Sequence, residues 1–579
     1  MMITLVLSSN MKRMLKNNVL VRKLVGIETS GSLNILFTDK TGTLTKGKLE
    51  VASIIDTSLE TKKDLNELNM FPKYQELFYL SLVYNNESSY DKQKNIAIGG
   101  NITDRCLSEF AKGNKDDKIK IIKTFPFDSK NKYSSVIIDN GEKLKLIKGA
   151  PEIILEKASS YYNLSGIKKV LIDKNKYFKE LAKYTNMGMR VIALASSFDT
   201  TSPNLRNLTL IGFILIKDEL RKEALEGVEL VKKAGISTVM ITGDNKETAQ
   251  SIGRELNILE KEDDLILTSD ELNSLSESEL KKILPSLKIV ARALPQDKSK
   301  LVKVAQELGL VVGMTGDGVN DAPALKKADV GFAMGSGTEV SKEASDIVIL
   351  DDNFISIAHA ILYGRTIFKS IRKFIVFQLT VNLCAVSVSL IGPFIGIEMP
   401  ITVIQMLWIN MVMDTLAGIA FSYEAPLKEY MYEKPKAKNE SIINKYMLNE
   451  ILFTGLYSSF LCLLFLKLPF FKEIYHTEAK LMTAFFGLFI FTSLFNSFNA
   501  RTNRLNLFAH LKDNKIFVIV ILFVIIIQVY LIYFGGNLFR TIPLTLKEFL
   551  IMVILSMSVI PIDFIRKMFF SIMRKKEFV

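Results

Sequence analysis

The residues with the most evident chemistry are acids that follow apolar runs. In FTDKTGTLTKG, Phe37 to Gly47, the run LNILF leads the chain to Asp39. STVMI leads to TGDN (Thr242 to Asn245), and LVVGM to TGDGVNDAPAL (Thr315 to Leu325). A carboxylate presented in this way is a candidate nucleophile, attacking a γ-phosphoryl group to form an aspartyl phosphate. The transferring group is anionic and needs Mg²⁺ and fixed cations around it. Asp39 and Asp317 can share the Mg²⁺ with the Thr41 backbone carbonyl, while Lys298, in ARALPQDKSK, can neutralise phosphoryl oxygens. Gly42, Gly243, Gly316 and Gly318 let backbone N–H groups approach phosphate. Many phosphate-handling enzymes place a second acid two residues after the nucleophile; here that place holds Thr41. Without an acid/base there, the acyl phosphate is long-lived and water must be activated from elsewhere.

These turns need a scaffold. Helical patterns such as KETAQSIGREL follow the strand-like runs, and the alternation predicts a doubly wound parallel sheet. Ligands of such sheets bind beyond the strands' carboxyl ends, which gathers Asp39, Thr242, Asp244, Asp317 and Asp321 near one crevice. An insertion over about 49–209 carries strands of its own (YSSVIID, KLKLIKGAP, RVIALASS) and reads as a nucleotide holder. Phe127 offers a face for adenine; Lys132, Lys148 and Arg190 offer charge to phosphates or sugar. Taken singly, each of these also reads as a core aromatic or a solvated surface cation.

Composition divides the 579 residues in two. The first 370 or so are mixed; the rest is dominated by long apolar runs, at about 374–395, 401–421, 450–468, 481–498, 516–534 and 548–565. Six spans return the C-terminus to the side of the head. The loop 424–446 carries Lys428, Lys434, Lys436, Lys438 and Lys445; the next loop on that side carries Arg501, Arg504, Lys512 and Lys515; and the tail is basic. The positive-inside rule puts head and tail in the cytoplasm. The formal charge of +13 fits this orientation and nucleotide binding. Nucleic acid is not indicated, because the lysines are scattered and no aromatic-basic reading motif occurs. Cys106, Cys384 and Cys462 lack the spacing of a zinc site or disulfide framework.

Within the second span, QMLWINMVMDTLAG places Asn410 and Asp414 four apart, on one helix face. Asn382 lies mid-way along the preceding span. An intramembrane carboxylate is costly and usually functional. Hard oxygen donors suit Ca²⁺; a hydrogen-bonded clamp between helices is the alternative.

With DKTGT, KGAPE (148–152), TGDN and TGDGVNDAP in that order, the chain resembles the P-type cation-transporting ATPases along essentially its whole length. The resemblance implies an α/β haloacid-dehalogenase-like phosphorylation domain (25–48 and 210–355). Into it an α+β nucleotide-binding domain (49–209) is inserted, and an all-α six-helix membrane domain follows, with its stalk (356–579). ATP and Mg²⁺ are the implied cofactors. Asp39 matches the phosphorylated residue and Asp317 a Mg²⁺ ligand. Thr41, Thr242, Asp244, Lys298, Asn320 and Asp321 match the phosphoryl site, with Gly243 and Arg292 beside the nucleotide. Phe127, Lys132, Lys148, Arg190 and Asp104, in GNITDRCL, match the ATP pocket; Asp104 stands where Glu is usual. KDELR (217–221) lacks the customary prolines but keeps Asp218 and Arg221.

FQLTVN and QMLWINMVMDT resemble the plasma-membrane type of calcium pump, implying Ca²⁺ as cargo through Asn382, Asn410 and Asp414, in a cell membrane. Residues 1–24 resemble the end of the family's fourth transmembrane helix and its stalk, and no TGE motif occurs in the chain. The expectation is an N-terminally truncated pump, without the actuator domain and first helices, that does not transport alone: a fragment, half of a split pump whose other half is a separate chain, or an incompletely translated frame. Two readings compete with it: a membrane-anchored ATP-binding or regulatory fragment without transport, and a pump for Mn²⁺ or a monovalent cation.

Overall fold

The computed structural model describes residues 2–116, 118–128, 131–199, 205–397, 399–436, 438 and 440–577, with side chains for all of these except 2, 3, 5, 412–414 and 573–577. Three bodies follow from three apolar patterns. In the first, eight strands form one sheet in the order Val19–Val21, Ile347–Ile349, Val330–Met334, Val312–Gly316, Ile35–Asp39, Ser237–Ile241, Leu287–Ala291 and Leu265–Thr268. All neighbours are parallel except the Val19–Val21 edge. Helices cover both faces, so the central strands are buried on both sides and read as unbroken apolar runs. The edge strand departs from the expectation that residues 1–24 are only helix and stalk. Met2–Leu15 is helical, but Val19–Val21 pairs with Ile347–Ile349, because its alternate valines bury against the head.

The inserted body is built on a nine-stranded sheet with apolar cores on both faces. Two long strands, Thr45–Ile55 and Leu208–Leu220, join it to the first body as an antiparallel pair running from Thr45↔Leu220 to Ile55↔Phe213. Membership of that sheet therefore spans Thr45 to Leu220, beyond the anticipated 49–209 at both ends and most at the second, because backbone pairing continues down the hinge.

Among the described residues, six helical segments are long and apolar enough to cross a membrane: Phe354–Ile395, Val403–Ser422, Lys445–Lys467, Glu478–Arg501, Lys515–Phe534 and Leu546–Ile572. The first begins about a span's depth before residue 374, since stalk and span form one continuous helix, Phe354–Ile391. The second is not regular. Trp408–Met413 is a π-helical turn between the α-helical pieces Val403–Leu407 and Asp414–Ser422. Such turns are rare and concentrate at functional sites.

One buried arginine joins head to membrane domain. Arg365, on the stalk, donates to the carbonyls of Gly31 (3.3 Å), Ala234 (2.6 Å), Tyr430 (2.7 Å) and Glu433 (2.7 Å). The first two carbonyls belong to the head, the last two to the loop after the second span. A guanidinium supplies enough donors in a fixed fork to hold all four.

Candidate active site

The central strand Ile35–Asp39 ends level with its neighbour, Asp39 pairing with Ile241. Asp39 and the turns after Ile241 and Gly316 therefore open at one sheet edge, where a doubly wound fold binds its ligands. The Asp39 backbone N–H donates to Thr315 Oγ1 at 3.1 Å, and that hydroxyl donates to Thr38 Oγ1 at 3.0 Å. These bonds fix the strand that ends in Asp39 to the strand that leads to Asp317.

Lys298 reaches the same edge from helix Pro295–Glu307. Its Nζ lies 2.6 Å from both Asp39 Oδ2 and Asp321 Oδ1. The other Asp321 oxygen accepts the backbone N–H groups of Asp317 (3.2 Å) and Gly318 (3.0 Å). Asp321 is thus fully used in shaping the turn. Asp39, Asp317 and Asp321 each offer a carboxylate oxygen within 4.8 Å of the others. Three crowded carboxylates repel and resist ionisation. Burial, and then the charge of Asp39, push Asp317 up to about 6. Asp39 is also raised by burial, against the pull of Lys298. Burial acts to lower Lys298, but Asp39 and Asp321 outweigh it and raise it overall. Such a cluster fits Mg²⁺, a hard cation bound through carboxylates.

Gly42 bends the loop at φ +75°. Gly243 leaves an open approach, with no atom within 4 Å of where a Cβ would stand. Thr41, Asn320 and Arg292 are exposed at this edge; the Arg292 N–H donates to the Asp244 carbonyl at 2.8 Å, and that of Asp244 to Thr242 Oγ1 at 3.1 Å. The phosphoryl-site residues read from the sequence are therefore brought together.

The residues expected at the nucleotide lie along one end of four adjacent strands of the inserted sheet, except Asp104, which is on the helix Ile102–Ala111. Register runs from Ala193, near Arg190, to Gly149, then to Tyr133 beside Lys132, then to Asp128 beside Phe127. Phe127 is 58% exposed. Lys148 is different: it is buried and ion-paired with buried Asp104, so its charge is already committed within the protein. Lys132 pairs with Glu152 at the surface. Asn382 is half-buried and Asn410 exposed on the π turn; the Asp414 side chain lies outside those described.

Two contributors were not anticipated, and a third, Arg221, was expected only as a match to the family pattern. Lys40 is buried between Asp218 (3.2 Å) and Asp244 (2.9 Å). Thr315 anchors Asp39. Arg221 donates to the carbonyls of Gly42 and Thr45, both at 3.2 Å. A lysine directly after Asp39 was the available signal for the first; the partners of the other two are far off in sequence.

Comparison with known proteins agrees with this architecture. Residues 33–329 match the family of haloacid dehalogenase-like hydrolases, as do residues 299–361; residues 398–569 match the cation transporting ATPase C-terminus. The chain is 35% identical to calcium-transporting ATPase PAT1 of Dictyostelium discoideum, over 97% of this chain and 55% of that protein. It is 34% identical to putative calcium-transporting ATPase 13, plasma membrane-type, of Arabidopsis thaliana (98% and 58%). It is also 34% identical to plasma membrane calcium-transporting ATPase 4 of Homo sapiens (95% and 48%). The chain spans about half the length of the curated relatives it matches. It belongs to the haloacid dehalogenase-like hydrolases and, among them, to the P-type cation-transporting ATPases.

Proposed function

We propose that the chain is the phosphoryl-transfer and membrane portion of an ATP-driven calcium pump, and that Asp39 carries the phosphoryl group. One observation carries this reading: the Asp39 carboxylate stands at the end of the central strand, held by Lys298 beside Asp317 and Asp321. An Asp39 oxygen attacks the γ-phosphorus of ATP, the bond to the ADP oxygen breaks, and an acyl phosphate forms as ADP leaves. Lys298 stabilises the charge that develops on the phosphoryl oxygens. Asp321 keeps Lys298 and the TGDG turn in place. Asp39 and Asp317, with the Thr41 carbonyl, would hold Mg²⁺, which supplies charge neutralisation across the transferring group. Thr242, Gly243, Asp244, Asn320 and Arg292 frame the phosphate approach. Phe127, Lys132 and Arg190 hold the nucleotide, while the Asp104–Lys148 pair supports that pocket.

The cargo reading is Ca²⁺, supported by the names of the relatives and by the oxygen donors Asn382, Asn410 and Asp414 in the first two spans. The basic loops 424–446 and 501–515 favour a cell-membrane protein with head and tail in the cytoplasm. The test is labelling of the purified chain with [γ-³²P]ATP and Mg²⁺. An acid-stable, hydroxylamine-sensitive label that Asp39→Asn abolishes is expected; an equal label in that variant refutes the assignment. For the cargo, Ca²⁺ should be the ion that stimulates labelling, and Asp414→Ala should remove that stimulation. Stimulation by Mn²⁺ or a monovalent ion alone would favour the other pump reading.

A further inference from the structure

We infer that Lys40 is a positioning residue that ties the hinge of the nucleotide domain to Asp39, so that it governs phosphoryl delivery from a nucleotide and not the reacting group itself. The inference rests on the phosphoryl-transfer reading above.

Lys40 follows Asp39 directly, yet its ammonium is not among the groups that meet Asp39, Asp317 or Asp321. It is buried and bridges two other carboxylates: Asp218 Oδ2 at 3.2 Å and Asp244 Oδ2 at 2.9 Å. These partners belong to different moving parts. Asp218 lies on Leu208–Leu220, one of the two strands that carry the nucleotide domain. Asp244 lies in the turn after Ser237–Ile241, within the phosphorylation domain. The same end of the hinge is fastened twice more: Thr45 Oγ1 donates to Asp218 Oδ2 at 2.8 Å, and Arg221 donates to the Gly42 carbonyl at 3.2 Å.

The bridge borders a cleft of about 670 Å³ between the two domains, with Lys40, Asp218 and Asp244 on one side and Arg190 and Glu152 on the other. Rotation of the nucleotide domain must move Asp218. Through Lys40 it moves the DKTGT loop and the Asp244 turn together, keeping the incoming phosphorus in line with Asp39. Without the ammonium, Asp218 and Asp244 are two unneutralised carboxylates at the hinge that repel one another. A donor held by the nucleotide domain would then be misplaced. A small donor arriving from solvent needs only the crevice of Lys298, Asp317 and Asp321.

The purified full chain should be labelled with [γ-³²P]ATP and, separately, with [³²P]acetyl phosphate, each with Mg²⁺. Lys40→Met should slow labelling from ATP by about tenfold or more, as misplacement of a reactant does, while labelling from acetyl phosphate changes by less than about threefold. Lys40→Arg should recover most of the ATP rate. Asp218→Asn, which leaves Lys40 and Asp244 in place, should show the same split between donors. Equal losses with both donors in Lys40→Met overturn the inference, as does an unchanged ATP rate in either Lys40→Met or Asp218→Asn. A native chain that neither donor labels overturns the phosphoryl-transfer reading and this inference with it.

Discussion

A Cβ placed on Gly42 would stand 2.3 Å from Oδ2 of Asp317. The loop after Asp39 therefore closes on the turn that carries Asp317, and a glycine allows that approach. Gly42 also sits at φ +75°, where a side chain is strained by about 1–2 kcal/mol. Gly42→Ala should displace Asp317 and lower Mg²⁺-dependent labelling of Asp39 by about a hundredfold, in line with the effect of a 1 Å misplacement. Titrating Mg²⁺ against labelling checks this; a variant with native Mg²⁺ dependence would show that the close contact is unimportant.

The crowding of Asp317 predicts a pH-dependent metal response. Its carboxyl is pushed up to about 6, first by burial and then by Asp39. With a folded value above the unfolded one, the folded state binds more protons between about pH 4 and 6, and its stability falls as pH rises through that window. Mg²⁺ opposes that loss by compensating the ionised carboxylates, but below the folded value of about 6 the proton on Asp317 competes with it. Mg²⁺ should therefore raise the thermal midpoint of the purified chain at pH 7 and have little effect at pH 5. Differential scanning fluorimetry at the two pH values, with EDTA as reference, measures this. An equal shift at both would contradict the assigned cluster.

Arg365 should be among the most sensitive structural positions. Truncation to alanine leaves four carbonyls without their shared donor, at about 1–3 kcal/mol for each group that stays buried and unpaired. Arg365→Ala should expose the loop 424–446 to limited proteolysis and lower the midpoint of thermal unfolding. Arg365→Lys should recover little, because an ammonium cannot reproduce the fork. Native resistance to protease in the alanine variant would count against the coupling role.

The Asp104–Lys148 pair gives a separable test in the nucleotide domain. Removing one partner of a buried ion pair typically costs about 3–5 kcal/mol, because a lone charge stays behind. Lys148→Met should be strongly destabilising, and Asp104→Leu combined with it should restore much of the loss. Chemical denaturation of the single and double variants closes the cycle. Additive losses would show that the two side chains do not act as a pair.

The meeting of Asp39, Asp317 and Asp321 at one crevice was legible in sequence because its parts are local: a buried apolar run, a tight glycine turn and an acid at a strand's end. The spans were legible for the same reason, as were their basic flanks. Other features were not. Val19–Val21 joins the head's sheet through residues more than 320 positions away. The second span's π turn breaks the regular helix that an Asn–Asp spacing of four suggests. Lys148 looked like a free cation for ATP, yet it is neutralised by a residue 44 positions earlier.

By itself, then, the sequence determined which residues can do chemistry, which strand ends present them, and which stretches are long and apolar enough to span a membrane. Each of these depends on short-range patterning of apolar, glycine and acidic residues. Only the tertiary structure decided which charges are already paired: Lys298 with Asp39 and Asp321, Lys40 with Asp218 and Asp244, Lys148 with Asp104. A lysine's role depends on what lies within a few ångströms of its nitrogen, and in this fold those neighbours come from elements far apart along the chain.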